Sequence, residues 1–185
     1  MRIVGGDLRG RRLTAPAGSD IRPTADRARE ALFNILAHGP LLGAPLAGAV
    51  VLDVFAGTGA VACEALSRGA ASAVLIDNDA HALDCARANL AALGLADRAR
   101  LLQTDATHLP TAGTRARFAY LDPPYRSGLA GPALASLAAG GWLEKNALVA
   151  VELAAREDFA PPDGFTPRDE RRYGAARLVF LTYQP

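Results

Sequence analysis

The 185-residue chain contains two cysteines, three histidines and a single lysine, Lys145. Cys63 and Cys85 are too few for a disulfide scaffold and lack metal-ligand spacing. They fit as small apolar fillers in a reducing cytoplasm. His38, His81 and His108 are scattered through the chain, so no metal centre is expected. No apolar run approaches the roughly 20 residues of a membrane helix. The opening MRIVGGDLRGRR lacks the apolar core of a signal peptide, so export is not expected and the chain reads as cytoplasmic. No internal repeat is present. What remains is 50% hydrophobic and 21% charged, the balance of a folded soluble protein and not of a disordered one. The length suits one domain with a small extension and is enough for a full hydrophobic core.

The formal net charge of +1 conceals a segregation. Residues 1–30 hold seven arginines, at 2, 9, 11, 12, 22, 27 and 29, against four acids. Residues 31–49 hold no Asp, Glu, Lys or Arg, and residues 50–160 hold twelve acids against nine bases. The preference for Arg over Lys fits a compositional bias of the source. The position of the basic excess does not follow from such a bias, and an Arg-rich start joined to a slightly acidic body suits a phosphate-backbone partner. A solvated charged surface is the plainer alternative.

Short β-type runs at 2–4 and 11–14, separated by Gly5, Gly6 and Gly10, predict a small hairpin. Pro23 disfavours helix at Arg22 and Thr24 is a good N-cap. A helix is therefore predicted over about 25–37, with Ala28, Leu32, Ile35 and Leu36 on its apolar face, Phe33 near the edge, and Gly39-Pro40 as the stop. Residues 40–48 read as a Gly/Pro linker. Apolar strands are predicted at 49–54, 73–76, 100–103, 118–121 and 147–153, with helices at 59–68, 80–93 and 129–139 between them. Two closing strands at 165–172 and 176–183 flank Gly174. Continuous apolar strands alternating with helices imply an α/β fold with a parallel sheet covered on both faces. Ligands then bind beyond the carboxyl ends of the strands. The division expected is residues 1–39 as a basic arm and helix, and 40–185 as the catalytic body.

Each of the first four predicted strands ends in a carboxylate: Asp53, Asp77, Asp105 and Asp122. After the first, Gly57 and Gly59 allow close approach of backbone to ligand and a sharp turn into a helix. Gly57-Thr58-Gly59-Ala60-Val61-Ala62 also fits a dinucleotide fingerprint, a weak match by itself. Asp53, four residues earlier, can receive a cation such as an ammonium group. Asp77 can accept both hydroxyls of a ribose, which does not separate NAD from S-adenosylmethionine. Asp105 can accept from an exocyclic adenine amine. The fourth end, Asp122-Pro123-Pro124-Tyr125, is the most specific. Its prolines remove two amide donors and fix the backbone. What is left is the Asp122 carboxylate and Pro123 carbonyl as acceptors, with Tyr125 as a stacking face. That set suits a planar substrate bearing an NH2 group. Two acceptors holding its N–H bonds direct the nitrogen lone pair outward, toward a methyl group held in line.

These motifs resemble the class I S-adenosylmethionine-dependent methyltransferases, in the amino-methyltransferase branch with D/N-P-P-Y/F. Arg2-Ile3-Val4-Gly5-Gly6, Gly10-Arg11-Arg12-Leu13 and the run from Arg22-Pro23-Thr24 to Leu32-Phe33-Asn34, with Tyr173-Gly174 and the last strand, are similar to the bacterial 16S ribosomal RNA guanine-N2 methyltransferases of the RsmD type. The similarity spans nearly the whole chain; several helices are Ala-rich and short, but the motifs are intact. The resemblance implies a Rossmann-like sheet of seven mostly parallel strands with the last antiparallel. It implies S-adenosyl-L-methionine as cofactor. Asp53, Phe55, Gly57 and Gly59 would surround its amino-acid end, Asp77 its ribose, and Asp105 with Ala106 its adenine. It further implies a guanine in 16S rRNA, or in the assembling 30S subunit, as the target. Arg2, Arg9, Arg11, Arg12, Arg22, Arg27 and Arg126 become RNA-phosphate candidates, although Arg22 and Arg27 could equally order the arm by pairing with acids. Residue chemistry alone leaves adenine as an alternative to guanine, and an NAD-dependent dehydrogenase as an alternative class. The small size and short arm permit a monomer.

Overall fold

In the computed structural model the described residues are 1–15, 23–38 and 46–185. Helix α1 spans Pro23–His38. It is followed by β1 (Val50–Val54), α2 (Ala60–Ser67), β2 (Ser72–Asp77), α3 (Ala80–Ala92), β3 (Ala99–Gln103), β4 (Ala116–Leu121), α4 (Ala130–Ala139), β5 (Leu143–Ala154), β6 (Phe165–Tyr173) and β7 (Ala176–Tyr183). The strands form one seven-stranded sheet in the order β3-β2-β1-β4-β5-β7-β6. The pairings from β3 to β5 are all parallel, and β7 runs antiparallel to both β5 and β6. Six strands thus share a direction and the last is reversed, as the family resemblance implies. The Gly39-Pro40 stop and most of the 40–48 linker lie outside the described residues.

Period-two alternation divides the strand residues between two cores. Val51, Leu75, Phe118, Ala150 and Phe180 face one side, where α1, α2 and α3 supply Leu32, Phe33, Leu66, Leu83 and Leu90. Leu52, Val54, Val149 and Leu181 face the other, against Leu134 and Leu137 of α4 and Trp142. Apolar residues on both faces of β1 and β4 are what a doubly covered parallel sheet requires.

A strand boundary and a helix face are among the differences from the sequence reading. Strand β5 begins at Leu143 rather than at residue 147. The polar Glu144-Lys145-Asn146 segment hid its first part, and a register shift opposite Ala116–Phe118 absorbs those residues, with Asn146 at φ 65. In α1, Phe33 is wholly buried instead of lying at the edge, while Ile35 is half-buried. The cause is tertiary: α1 is covered on a second side, where the Arg68 guanidinium sits 5.1 Å from the Phe33 ring centre.

The N-terminal segment makes a narrow turn rather than a full hairpin. A single antiparallel bridge joins Arg2 to Arg12, and Ile3 N–H donates to the Arg11 carbonyl. The segment is fastened to the body by buried polar groups. Glu64 of α2, fully buried, accepts from Val4 N–H at 2.8 Å and from Arg68 Nε at 2.7 Å. The Ser67 hydroxyl donates to the Gly5 carbonyl and accepts from Leu8 N–H. Gly6 must be glycine, since it has φ +75 and a Cβ there would come within 2.0 Å of the Ser67 carbonyl oxygen. Farther on, Asn89 of α3 accepts from Thr14 N–H and Oγ1 at 2.8 Å, and its amide donates to the Thr14 and Thr58 carbonyls at 3.0 Å. Ile3 and Leu13 complete the attachment by joining the α1–α3 core.

Because Asn89 is buried and serves Thr14 in both directions, Asn89→Ala should lower stability by about 2 kcal/mol. Urea unfolding with an unchanged m-value, together with faster amide exchange at Thr14, would report that loss.

Candidate active site

Strand register assembles the site. Asp53 pairs with Leu75 on one side and Tyr120 on the other, and Val54 with Ile76 and Leu121. Leu121 pairs in turn with Val151. One step further, Asp122 and Glu152 follow on neighbouring strands, and alternation puts Asp53, Tyr120, Asp122 and Glu152 on one face. They line one cavity of about 190 Å³, together with Met1, Arg29, Phe55, Ala56, Gly57, Thr58, Ala60 and Val61.

Asp53 forms the floor and is 2% exposed. Its carboxylate accepts from Ala62 N–H at 2.9 Å, at the start of α2. Burial pushes its pKa up to about 7; the Ala62 amide opposes this, Asp77 adds to it, and Arg29 opposes it weakly. Asp77, at the end of β2, accepts from Gly57 N–H at 2.8 Å, which ties down the turn between β1 and α2, and from Asp79 N–H at 3.0 Å within the turn after β2. Within that turn Phe55, Gly57 and Gly59 all have positive φ. A Cβ on Gly59 would meet the Leu75 side chain at 2.8 Å and Ala86 at 3.1 Å, so its glycine serves helix–strand packing. A Cβ on Gly57 would meet nothing within 4 Å, so that position faces open space.

Asp122 is exposed at the mouth of the cavity, with Glu152 and Asp53 close enough for their charges to act on its carboxyl. Burial, followed by the charges of Glu152 and Asp53, raises its carboxyl well above the ordinary carboxylate range. Pro123 is buried and Pro124 exposed. Tyr125 is 40% exposed, and its hydroxyl donates to Glu152 Oε1 at 2.8 Å. The Tyr120 hydroxyl donates to Glu152 Oε2 at 2.6 Å. The two tyrosines hold Glu152, and Glu152 in return fixes the tilt of the Tyr125 ring.

Over residues 1–182 the chain matches the family described as "Conserved hypothetical protein 95". It is 43% identical over 153 residues to "Ribosomal RNA small subunit methyltransferase D" of Escherichia coli strain K12, covering 82% of this chain and 74% of that one. The protein of the same name from Haemophilus influenzae is 32% identical, over 94% and 89% of the two chains. The solved structure of yhhF from Escherichia coli superposes with a TM-score of 0.85 at 37% identity, over 100% of this chain and 98% of that one. The chain belongs to the RsmD-type class I methyltransferases. An RNA methyltransferase from Salinibacter ruber, solved with S-adenosyl-L-homocysteine, shares the fold at a TM-score of 0.64 and 17% identity, covering 88% and 94%.

In this methyltransferase the predicted residues fall into three groups. Asp53, Phe55, Gly57 and Asp122 meet at the cavity, and Asp77 adjoins it through Gly57. Gly59 supports the turn from behind. Asp105 lies at the next strand end, outside the cavity lining. Its carboxylate is turned onto Thr107 N–H and Oγ1 and onto His108, and these bonds lower its pKa. Ala106 is buried in the α4-side core. Of the arginines, Arg9 and Arg12 are exposed on the N-terminal turn and Arg126 beside Tyr125. Arg11 donates to the Ala92 carbonyl at the end of α3 and Arg2 to the Gly10 carbonyl, so both also serve the fold. Arg22 and the Arg27 side chain lie outside the described residues. Among the described residues no His/Cys/Asp/Glu group could hold a metal, and no helix is long and apolar enough to cross a membrane. Cys63 is buried with its thiol pushed up to about 12, consistent with an inert filler.

Sequence reasoning missed Glu152, Tyr120 and Arg29. Glu152 and Arg29 each carried a signal: Glu152 interrupts the apolar run Val149 to Leu153, and Arg29 falls on the apolar stripe of α1, three and four residues before Leu32 and Phe33.

A raised carboxyl favours folding while protonated. Its contribution is complete below the unfolded value near 3.8 and is lost as pH rises through about 7. Asp53→Asn, which keeps an acceptor for Ala62, should therefore gain on the wild type by about 2–3 kcal/mol between pH 5 and 8. Denaturant titrations of both proteins across that range would measure the difference.

Proposed function

We propose that this protein transfers a methyl group from S-adenosyl-L-methionine to the exocyclic N2 amine of a guanine in 16S ribosomal RNA, either as the RNA itself or within the assembling 30S subunit. The observation that carries this reading is the cavity that Asp122 and Glu152 line together, with Glu152 hydrogen-bonded to the Tyr125 hydroxyl. The names of the E. coli and H. influenzae relatives support the RNA class.

The donor set fits the cofactor. Asp53 beneath the Phe55–Gly59 turn suits an ammonium group, and the open side of Gly57 leaves room for the amino-acid chain. Asp77 retains lone pairs for ribose hydroxyls beyond its two backbone bonds. When bound, S-adenosylmethionine supplies an electrophilic methyl group on a positively charged sulfur. A cavity lined by three carboxylates favours that charge.

The chain's own residues prepare the amine. The Asp122 carboxylate and the Pro123 carbonyl accept its N–H bonds, which pyramidalises the nitrogen and aims its lone pair. Tyr125, pinned through its hydroxyl, stacks on the flipped-out base. The raised basicity of Asp122 also suits it to take the proton that the methylated nitrogen sheds. Residues 1–39 act as the RNA-binding extension, with Arg9 and Arg12 on phosphates, and Arg126 adds a contact beside Tyr125.

Asp122→Ala should retain S-adenosylhomocysteine binding within a few-fold and lose methyl transfer by at least 100-fold. Labelled-methyl assays on 30S particles, naked 16S RNA and DNA, followed by nucleoside analysis, check this and identify the base; N6-methyladenosine as the product would overturn the guanine reading. Replacing Arg9 and Arg12 together with Ala should weaken RNA binding and reduce the slope of log K against log salt by about 2. Unchanged binding from 50 to 200 mM salt would remove the N-terminal turn from the RNA interface.

A further inference from the structure

The loop that carries Tyr125 is held at two points by residues of β5 and the turn that follows it. One is the Tyr125 hydroxyl, which donates to Glu152. The other is a backbone bond: Arg126 N–H donates to Glu157 Oε2 at 2.9 Å. Arg126 has φ 58, and an L residue in the left-handed region needs compensation from its surroundings. Glu157 is itself fixed. The same oxygen accepts from Ala154 N–H at 3.2 Å, and Glu157 N–H donates back to the Ala154 carbonyl at 3.0 Å. The Glu157 carbonyl accepts from Arg177 Nη2 of β7, and Arg177 Nη1 is anchored on Glu170 of β6 at 2.8 Å. An acid needed only to close the turn after β5 would have finished with Ala154. The bond to Arg126 instead reaches 31 residues back in the chain.

We propose that Glu157 is a positioning residue for methyl transfer. By accepting the Arg126 N–H it keeps that residue left-handed, and so sets the direction in which the Tyr125 ring leaves the backbone. With the hydroxyl pinned by Glu152 and the following amide by Glu157, the ring is fixed at both ends before a base arrives. Ser127 N–H, bonded to the Pro124 carbonyl at 3.1 Å, closes the turn around the same residue. Such pre-setting matters because misplacing a reacting group by about 1 Å can cost on the order of 100-fold in rate. The proposal rests on Tyr125 as the stacking face for the target base, and adds to it a residue outside the cavity lining.

Steady-state methyl transfer to 30S particles and naked 16S RNA by the full chain, with Glu157→Ala and Glu157→Gln beside it, tests the proposal. Glu157→Ala should lower kcat by about tenfold or more. Its KM for RNA should stay within about threefold, and its S-adenosylhomocysteine affinity within about twofold, of wild type. Glu157→Gln should recover most of kcat, because both amides bond to one oxygen and an amide carbonyl can accept them. In Glu157→Ala, hydrogen exchange should quicken at the Arg126 amide and stay unchanged at Asp122, whose amide bonds the Val54 carbonyl. Wild-type kcat in Glu157→Ala overturns the proposal. An equal loss of kcat in Glu157→Gln does so too, and so does a loss of S-adenosylhomocysteine affinity in step with kcat, the mark of a general structural role. If wild type methylates neither substrate, the functional reading itself fails and this proposal falls with it.

Discussion

Carboxylates repel one another, and this fold sets Asp53, Asp122 and Glu152 on one face of its sheet around a single cavity. Their mutual repulsion, together with the burial of Asp53 and Glu152, is the constraint that the surrounding structure answers. Asp53 is compensated by the Ala62 amide at the head of α2, and Glu152 by two tyrosine hydroxyls. Asp122 receives less compensation, and its carboxyl rises well above its ordinary range. A cavity charged in this way is poised for a cation and for N–H donors. Both belong to methyl transfer onto an amine.

The N-terminal turn is part of the same balance. It is not a loose basic arm attached to a finished domain, for Glu64, Ser67 and Asn89 use buried hydrogen bonds to hold its backbone against α2 and α3. The attachment brings Met1 to the cavity and places Arg29 of α1 beside Asp53. Arginines exposed on the turn, Arg9 and Arg12, therefore project from a fixed platform, Arg9 next to the Leu8 that is held at the Ser67 end of α2.

The sequence was most informative where local physics dominates. Apolar periodicity located all seven strands, with boundary errors confined to segments such as Glu144-Lys145-Asn146, where polar residues interrupt a strand. Residues at strand ends with characteristic turn chemistry, Asp53, Gly57, Asp77 and Asp122, were legible for the same reason. Glu152 and Arg29 were not, because each sits inside a regular element whose period assigns it to packing. Only a neighbouring element reveals that its charge faces a cavity.

Composition and spacing by themselves determined an α/β chain with a basic start, and a row of acids at successive strand ends. Tertiary structure decided which of those acids meet. Parallel register aligned Asp53, Asp122 and Glu152 on one face, whereas Asp105, at the end of the outermost parallel strand, turned its carboxylate onto Thr107 and His108. The reason is that register is a property of paired strands. A sequence states the period of each strand, but only backbone pairing fixes how far one strand is shifted along the next.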